Sequence, residues 1–516
     1  MGLVVLHLHL HGLFRGHDLP LGHDGDTGGQ TAYVLDLVRS LAAHPELERV
    51  EVVTRLIRDP RVSADYGRPL EVLGPRLQIR RLPFGPAHYL PKEALWPHLD
   101  QLVESLCADL LAAPRLPDWI HAHYADAGYV GAMLRRRLGV PLVFTAHSLG
   151  REKRRRLTSS GLDPRLLEQR YALERRIAAE ELALAHSSLV VTGTRQELEI
   201  QYASYASFRP HRARVIAPGV DGQLFHPPRP GVAEPVLEAL LASLLRQPER
   251  PPLLAICRPD ARKNIPALLE AFASSPTLSR RHNLVLVLGS GGTGPAEAQA
   301  GPAEPPASSL CQQVLTRVRH HQLEGRVACP QQLRRDQIPA LYRWAACRQG
   351  VFVNPALTEP FGLTLLEAAA SGLPLVATSD GGPREILERC ANGLLVDVAV
   401  PGALRRALEE AFTQPLRWRR WSAQGVAAVR RHYSWQAHRR SYLAAVASLL
   451  APPASASAAA ACPGLGGRLA VAAGVMGVGG GHPVAEVVGP VLPARQPLGA
   501  EFGVGHAGQQ LGDLHR

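Results

Sequence analysis

From residue 3 to about residue 450, short apolar runs alternate with stretches whose apolar residues recur every three or four positions. That alternation constrains the fold more than any other feature. A strand buried on both faces reads as a continuous apolar run, and a parallel neighbour can be reached only through a crossover helix. Leu3–Leu10 reads as the first strand and Gln30–His44 as the helix after it, with Tyr33, Val34, Leu37, Val38 and Leu41 on one face. Further strands are expected at Val50–Thr54, Trp119–Ala122, Leu142–Thr145, Leu189–Thr192 and Val215–Ala217. The helices between them are expected at Leu99–Ala112, Gly128–Arg137 and, as one long charged helix, Pro164–His186. A second series begins near residue 250, with strands Leu253–Cys257, Asn283–Gly289, Val351–Asn354, Leu375–Ala377 and Gly393–Val396. Its helices are Ile265–Ala273, Ser309–His320, Gln337–Ala346, Leu363–Ser371 and Pro401–Phe412, followed by helical stretches at Leu416–His432 and Trp435–Leu450.

The expected class is therefore α/β, with two doubly wound Rossmann-like domains facing a cleft, residues 1–225 and 226–432. Residues 433–450 are expected to form a terminal helix packing back on the first domain. Pro227–Val236 reads as a linker, and Gly289–Ser308 as a Gly/Pro/Ala-rich loop inside the second domain. From residue 451 to 516 the chain is rich in Ala, Gly, Pro and Val without periodicity, and a disordered tail is expected there.

Composition closes off several functional classes. With 46% hydrophobic and 20% charged residues the chain is an ordinary globular one, and no apolar run approaches the ~18 residues that span a bilayer. The seven cysteines are scattered and form no CxxC pair, which argues against a disulfide framework or zinc ribbon and fits a cytoplasmic protein. A net charge of +12 asks for an anionic partner. The arginines are spread along the chain, and the densest run, Arg151–Arg156, has no aromatic residues beside it, so neither nucleic acid nor membrane is expected. Phosphorylated metabolites remain. Only three of the 57 Lys+Arg residues are lysine: Lys92, Lys153 and Lys263. Each is either a place where the planar fork of arginine does not fit or a chance remainder of a G/C-rich coding bias.

Two motifs stand at carboxyl ends of expected strands, where open α/β sheets bind ligands. Glu359-Pro-Phe-Gly-Leu-Thr-Leu-Leu-Glu367 crosses a strand–turn–helix junction. Its residues Phe361, Gly362, Leu363 and Thr364 would present backbone N–H groups at a helix N-terminus, a natural diphosphate site. Arg258-Pro-Asp-Ala-Arg-Lys263-Asn264 follows Leu253–Cys257, and Arg258 and Lys263 could converge on one anion. In the first domain, Asp24-Gly-Asp-Thr-Gly-Gly-Gln30 is no GxGxxG fingerprint, and no GxSxG, HExxH or P-loop occurs. His121-Ala-His123 and His147-Ser-Leu-Gly-Arg-Glu-Lys153 each follow a strand. His7, His9 and His11 alternate along another and admit a metal reading, but no carboxylate or thiol stands at ligand spacing, so no metal site is expected.

These residues resemble the retaining sugar-nucleotide glycosyltransferases of the GT-B fold. Arg258…Lys263 followed by Glu359-x7-Glu367 carries the general likeness, and Asp26-Thr-Gly-Gly-Gln30 narrows it to the sucrose-phosphate synthases and sucrose synthases. His147–Lys153, Thr194–Tyr202, Cys257–Asn264 and Asn354–Thr378 look like the cyanobacterial type of sucrose-phosphate synthase. The motif at Asp26 stands so near the first residue that a sucrose synthase, with its long preceding regulatory segment, is not expected.

The resemblance implies transfer of glucose from UDP-glucose to fructose 6-phosphate with retention. It implies Arg258 and Lys263 on the diphosphate, Glu367 on the ribose hydroxyls and Glu359 on the glucosyl group. His147 would contact the transferring glucose, Gly29 and Gln30 would shape the acceptor side, and Lys92, Lys153 and Arg176 would bind the acceptor phosphate. It implies no obligatory cofactor, with Mg2+ at most a stimulant. A related enzyme with a different acceptor and an inactive sugar-nucleotide-binding regulator are the alternatives. Two departures stand out. The loop Gly289–Ser308 lacks the Arg and Asp of the family, and the tail has no Asp-x-Asp of a phosphatase, its only Asp being Asp513.

Overall fold

A computed structural model describes residues 2–450 apart from 22–23, 160, 232–233, 259, 289–306, 331–332 and 334. The expected tail 451–516 and nearly all of the loop 289–308 thus lie outside the described residues. Among the described residues the long strands form two sheets, both within one compact unit. The first sheet comprises β1 (Leu3–Leu8), β2 (Leu47–Arg55), β3 (Leu70–Gly74), β4 (Leu77–Leu82), β5 (Trp119–His123), β6 (Leu142–Thr145), β7 (Leu189–Thr192) and β8 (Ala213–Val215). Its order is β3-β4-β2-β1-β5-β6-β7-β8, and every pairing is parallel except β3 with β4. The second comprises β9 (Pro252–Cys257), β10 (Asn283–Leu288), β11 (Val327–Ala328), β12 (Val351–Asn354), β13 (Leu375–Thr378) and β14 (Gly393–Val396). Its order is β11-β10-β9-β12-β13-β14, parallel throughout. The strand order reverses direction between β1 and β5 in one sheet and between β9 and β12 in the other.

Helices cover both faces of each sheet, which explains the unbroken apolar runs of the central strands. On one face of the first sheet, Leu102, Val103 and Leu106 of helix Leu99–Ala112 join Val130 and Leu134 of helix Tyr124–Leu138 in one core. On the other face, helix Gly29–Ala42 supplies Val34, Leu37, Val38 and Leu41, and helix Trp435–Leu450 adds Tyr442 and Val446. Trp119 Nε1 of β5 donates to the Tyr442 hydroxyl at 2.9 Å, so the last described helix is tied to the centre of the first sheet. Among the described residues the chain crosses between the sheets twice, side by side: Val220 N donates to Tyr433 O at 2.7 Å. A Cβ on Gly219 would lie 2.6 Å from the Trp435 ring, so only glycine permits that approach.

Three expectations need correction. The single helix Pro164–His186 is two, Pro164–Tyr171 and Leu173–His186, broken where Ala172 turns left-handed at φ 45°. The Glu168 carboxylate accepts from Glu174 N at 2.9 Å and so caps the second helix from the first. The β3–β4 hairpin was not expected at all. Leu70 and Val72 sit exposed on the edge strand, and Arg81 of β4 is buried through its bonds to Glu71 and to Phe14 O, so neither strand shows a clean alternation. The proposed linker Pro227–Val236 overruns a helix that starts at Pro235, where proline suits the first turn.

Candidate active site

Ligands of open α/β sheets bind outside the carboxyl ends of the strands where the order reverses. In the second sheet that place lies between β9 and β12. After β9, Asp260 accepts from Arg262 N at 2.9 Å and opens a short turn, Ala261–Lys263. Asn264 follows at φ 55°, a left-handed conformation that asparagine tolerates better than most residues. Its Nδ2 donates to Pro355 O at 3.1 Å, and Leu357 N donates to Arg262 O at 2.9 Å. These bonds stitch the loop after β9 to the loop after β12 and bring Lys263 to Glu359, with Nζ 2.7 Å from Oε2. Asn354 Nδ2 donates to the same oxygen at 3.0 Å. The backbone of Glu359 is pinned by the turn after β13, since Gly382 N donates to Glu359 O at 2.9 Å. Gly381 makes this contact possible: its φ is 95°, and a Cβ would lie 2.0 Å from Glu359 O.

Phe361, Gly362, Leu363 and Thr364 lead from Glu359 into helix Leu363–Ala370, with Gly362 as its cap at φ 98°. Glu367 stands in the second turn and accepts from the buried Tyr342 hydroxyl at 3.0 Å. The structure therefore joins Lys263 with Glu359 but holds Glu367 separately. Arg258 is exposed just after β9, and its charge and that of Lys263 both reach the Cys257 thiol.

The first sheet reverses between β1 and β5, and here histidines gather. His7 and His121 are register partners across the two strands. His7 Nδ1 lies 3.0 Å from His123 Nε2, and His123 Nδ1 lies 3.0 Å from His147 Nε2. His121 is held between the Tyr442 hydroxyl and Thr145 Oγ1, 3.0 Å from each. His7, His121 and His123 are fully buried, and burial lowers the pKa of each, that of His7 to about 3. Burial also lowers His147 to about 3, although this ring keeps some surface open. The ring nitrogens of His7, His121 and His123 lie within 4.8 Å of one another, a spacing that could hold a metal ion. The metal reading of the sequence grouped His7 with His9 and His11 instead, and those two take other partners. His9 Nδ1 meets Gln30 Nε2 at 3.1 Å, and His11 Nδ1 meets Asp126 Oδ2 at 2.7 Å in a buried pair that raises the His11 pKa. His147 (φ 58°) and Tyr124 (φ 81°) both carry left-handed backbone here, and such strain in non-glycine residues gathers at functional sites.

The cations lie beside this cluster. Gly29 begins helix Gly29–Ala42, and in the loop before it Asp26 is ion-paired with Lys92 while its other oxygen accepts from Lys92 N at 2.8 Å. Arg176 is buried and committed: Nε donates to Glu180 Oε1 at 2.9 Å and Nη2 to Ser148 O at 2.7 Å. Among the described residues Lys153 has no carboxylate partner, and it sits over the Tyr171 ring at 3.7 Å. Burial, then the charges of Lys92 and Arg176, push its pKa down to about 8. A cation held among cations and starved of water is a site that favours an anion.

The sheets meet at this cleft. Arg195, after β7, donates its N–H to Glu385 Oε1 at 2.6 Å, and its guanidinium lies 3.7 Å from Glu385 and 3.6 Å from Glu388. A Cβ on Gly193 would lie 3.6 Å from both Glu197 Oε2 and the Phe361 ring. Glu197 is a residue the sequence did not flag. It is half-buried, and desolvation raises its pKa although Thr192 Oγ1 and Gly193 N donate to it at 2.6 and 2.9 Å.

Comparison with known proteins agrees with this geometry. Residues 28–219 match the glycosyl transferase 4-like domain and residues 238–426 match the glycosyl transferases group 1. A probable sucrose-phosphate synthase of Vicia faba is 35% identical over 86% of this chain and 47% of its own length. Sucrose-phosphate synthase 1 of Arabidopsis thaliana is 36% identical over 86% of this chain and 48% of its own. The chain thus spans about half the length of the curated relatives it matches. The solved structure of a sucrose-phosphate synthase from Thermosynechococcus elongatus superposes with a TM-score of 0.63 at 26% identity, covering 87% of this chain and 99% of that one. Two largely parallel sheets, each with a strand-order reversal and each matched by a glycosyltransferase model, place the chain in the GT-B glycosyltransferase family as a homologue of the sucrose-phosphate synthases.

Proposed function

We propose that the protein is a sucrose-phosphate synthase, which transfers glucose from UDP-glucose to fructose 6-phosphate and yields sucrose 6-phosphate and UDP. The observation that carries this reading is the electrostatics of Lys153. Its charge is disfavoured by burial and by Lys92 and Arg176, and a phosphate dianion on the acceptor would relieve all three. An unphosphorylated sugar has no use for such a cluster. On the donor side, Lys263 and Arg258 would receive the diphosphate. Glu359 would then exchange part of its hold on Lys263 for the glucosyl hydroxyls, and Glu367 would take the ribose.

The reaction breaks the bond from the anomeric carbon to UDP and forms one to the anomeric hydroxyl oxygen of fructose 6-phosphate. Cations on the diphosphate stabilise the charge that develops as it leaves, typically the largest single effect in such a step. Retention follows if the acceptor attacks from the face that UDP vacates, its hydroxyl proton passing to the departing phosphate oxygen. Closure of the two sheets keeps water from competing. The test is to supply UDP-glucose with either fructose or fructose 6-phosphate and identify the sugar formed. Product only from free fructose would contradict the proposal.

A further inference from the structure

The three imidazoles His147, His123 and His7 form a line running inward from the cleft, each 3.0 Å from the next. Its outer end is His147 Nδ1, which has no protein hydrogen-bond partner among the described residues. Its inner end is His7 Nε2, buried and also without a partner.

A neutral imidazole carries one N–H and one lone pair. Burial keeps all three rings neutral at physiological pH, with His7 and His147 lowered to about 3 and His123 lowered well below its ordinary value. Because His123 commits both nitrogens to imidazoles, its tautomer dictates those of its neighbours, and the three rings can change only together. In one arrangement every proton is on Nε2. His7 then buries an unpaired N–H, and His147 turns a bare lone pair to the cleft. In the other every proton is on Nδ1. The inner end is then an unpaired acceptor, and His147 offers an N–H to the cleft. Buried N–H groups without acceptors are rarer than unpaired acceptors, so the second arrangement is favoured. A donor is also what a cleft for a diphosphate and sugar hydroxyls calls for, and in that respect the inference rests on the proposed reaction.

We propose that His7 and His123 are positioning residues that lock His147 as its Nδ1–H tautomer, so that it meets the glucosyl group as a fixed hydrogen-bond donor and not as a base. The same rings could instead chelate a metal through His7, His121 and His123. Against that, His121 already has both nitrogens engaged, by Tyr442 and Thr145 at 3.0 Å each, and a metal would break the line at His7–His123.

The direct test is the imidazole nitrogen spectrum of the full chain labelled with 15N-histidine at pH 7.5. The expected result is His7, His123 and His147 all neutral and protonated on Nδ1. An Nε2–H signal for His147 would overturn the proposal, as would stoichiometric zinc on the purified protein bound through His7 and His123. This readout needs no turnover, so the expected spectrum from a protein that makes no sugar product would defeat the proposed reaction and leave the positioning role intact. Kinetics supplies the second arm. His7→Leu removes the inner donor, while His7→Asn returns an amide N–H near the place of Nδ1. His7→Leu should lower kcat about tenfold with little change in the KM for fructose 6-phosphate, and His7→Asn should recover most of the loss. Equal kcat losses in both variants, with the His147 tautomer unchanged, would show that His7 only fills space.

Discussion

In the proposed reaction Lys153 would tie acceptor binding to pH. Its pKa of about 8 in the folded chain is set by burial and by Lys92 and Arg176. Binding a phosphate dianion must raise that value, so the protonated lysine is the form that binds. The sign follows: affinity for fructose 6-phosphate should hold from about pH 7, where its phosphate is a dianion, up to pH 8 and fall as the pH rises through it. The KM for fructose 6-phosphate should increase about tenfold by pH 9, while the KM for UDP-glucose moves less. Lys153→Met should raise that KM at neutral pH and abolish its pH dependence. In the second sheet, Lys263→Met would leave the Glu359 carboxylate without the ammonium now 2.7 Å away. It should lower kcat by about 100-fold or more, measured at saturating acceptor. The scarcity of lysine pointed to these positions because arginine is so nearly universal in this chain. What the scarcity could not reveal is that Lys92 is already paired with Asp26 and that Lys153 has no carboxylate partner among the described residues.

Helices and turns set these residues in place, and here the sequence is legible in one respect and opaque in another. The apolar periodicity of Pro164–His186 runs through a real break, because the left-handed turn at Ala172 still leaves Leu167 of the first helix and Leu173 and Ile177 of the second buried. Alanine is costly in that conformation and glycine is not. Ala172→Gly should therefore stabilise the chain by about 0.5–1 kcal/mol, seen as a higher Tm. Gly381→Ala should act in the opposite sense. Its added Cβ would collide with Glu359 O and loosen the turn that pins the carboxylate, so both Tm and kcat should fall. The histidine array shows the limit from the other side. Alternating histidines were visible at His7, His9 and His11 and at His121 and His123, but that His7 faces His121 depends on β1 lying beside β5, more than a hundred residues along the chain. Local pattern identifies the strands and does not say which are neighbours.

For the whole molecule, the two strand-order reversals matter most. Each sheet brings the carboxyl ends of its central strands to the cleft, one with a lysine–glutamate pair and the other with buried histidines and three cations. The α/β class and most central strands were readable from apolar alternation, because a strand covered on both faces has little choice of composition. The edge hairpin β3–β4 was not, since an edge strand is free of that demand. The helix Trp435–Leu450 binds the architecture together through Tyr442, whose hydroxyl meets both Trp119 and His121. Tyr442→Phe leaves the buried indole N–H without its acceptor and should cost about 1–3 kcal/mol in denaturant unfolding. The most direct test of the whole account is the acceptor preference of the intact chain with UDP-glucose as donor. It predicts sucrose 6-phosphate from fructose 6-phosphate and negligible sucrose from fructose. Transfer to fructose at an equal or greater rate would contradict it.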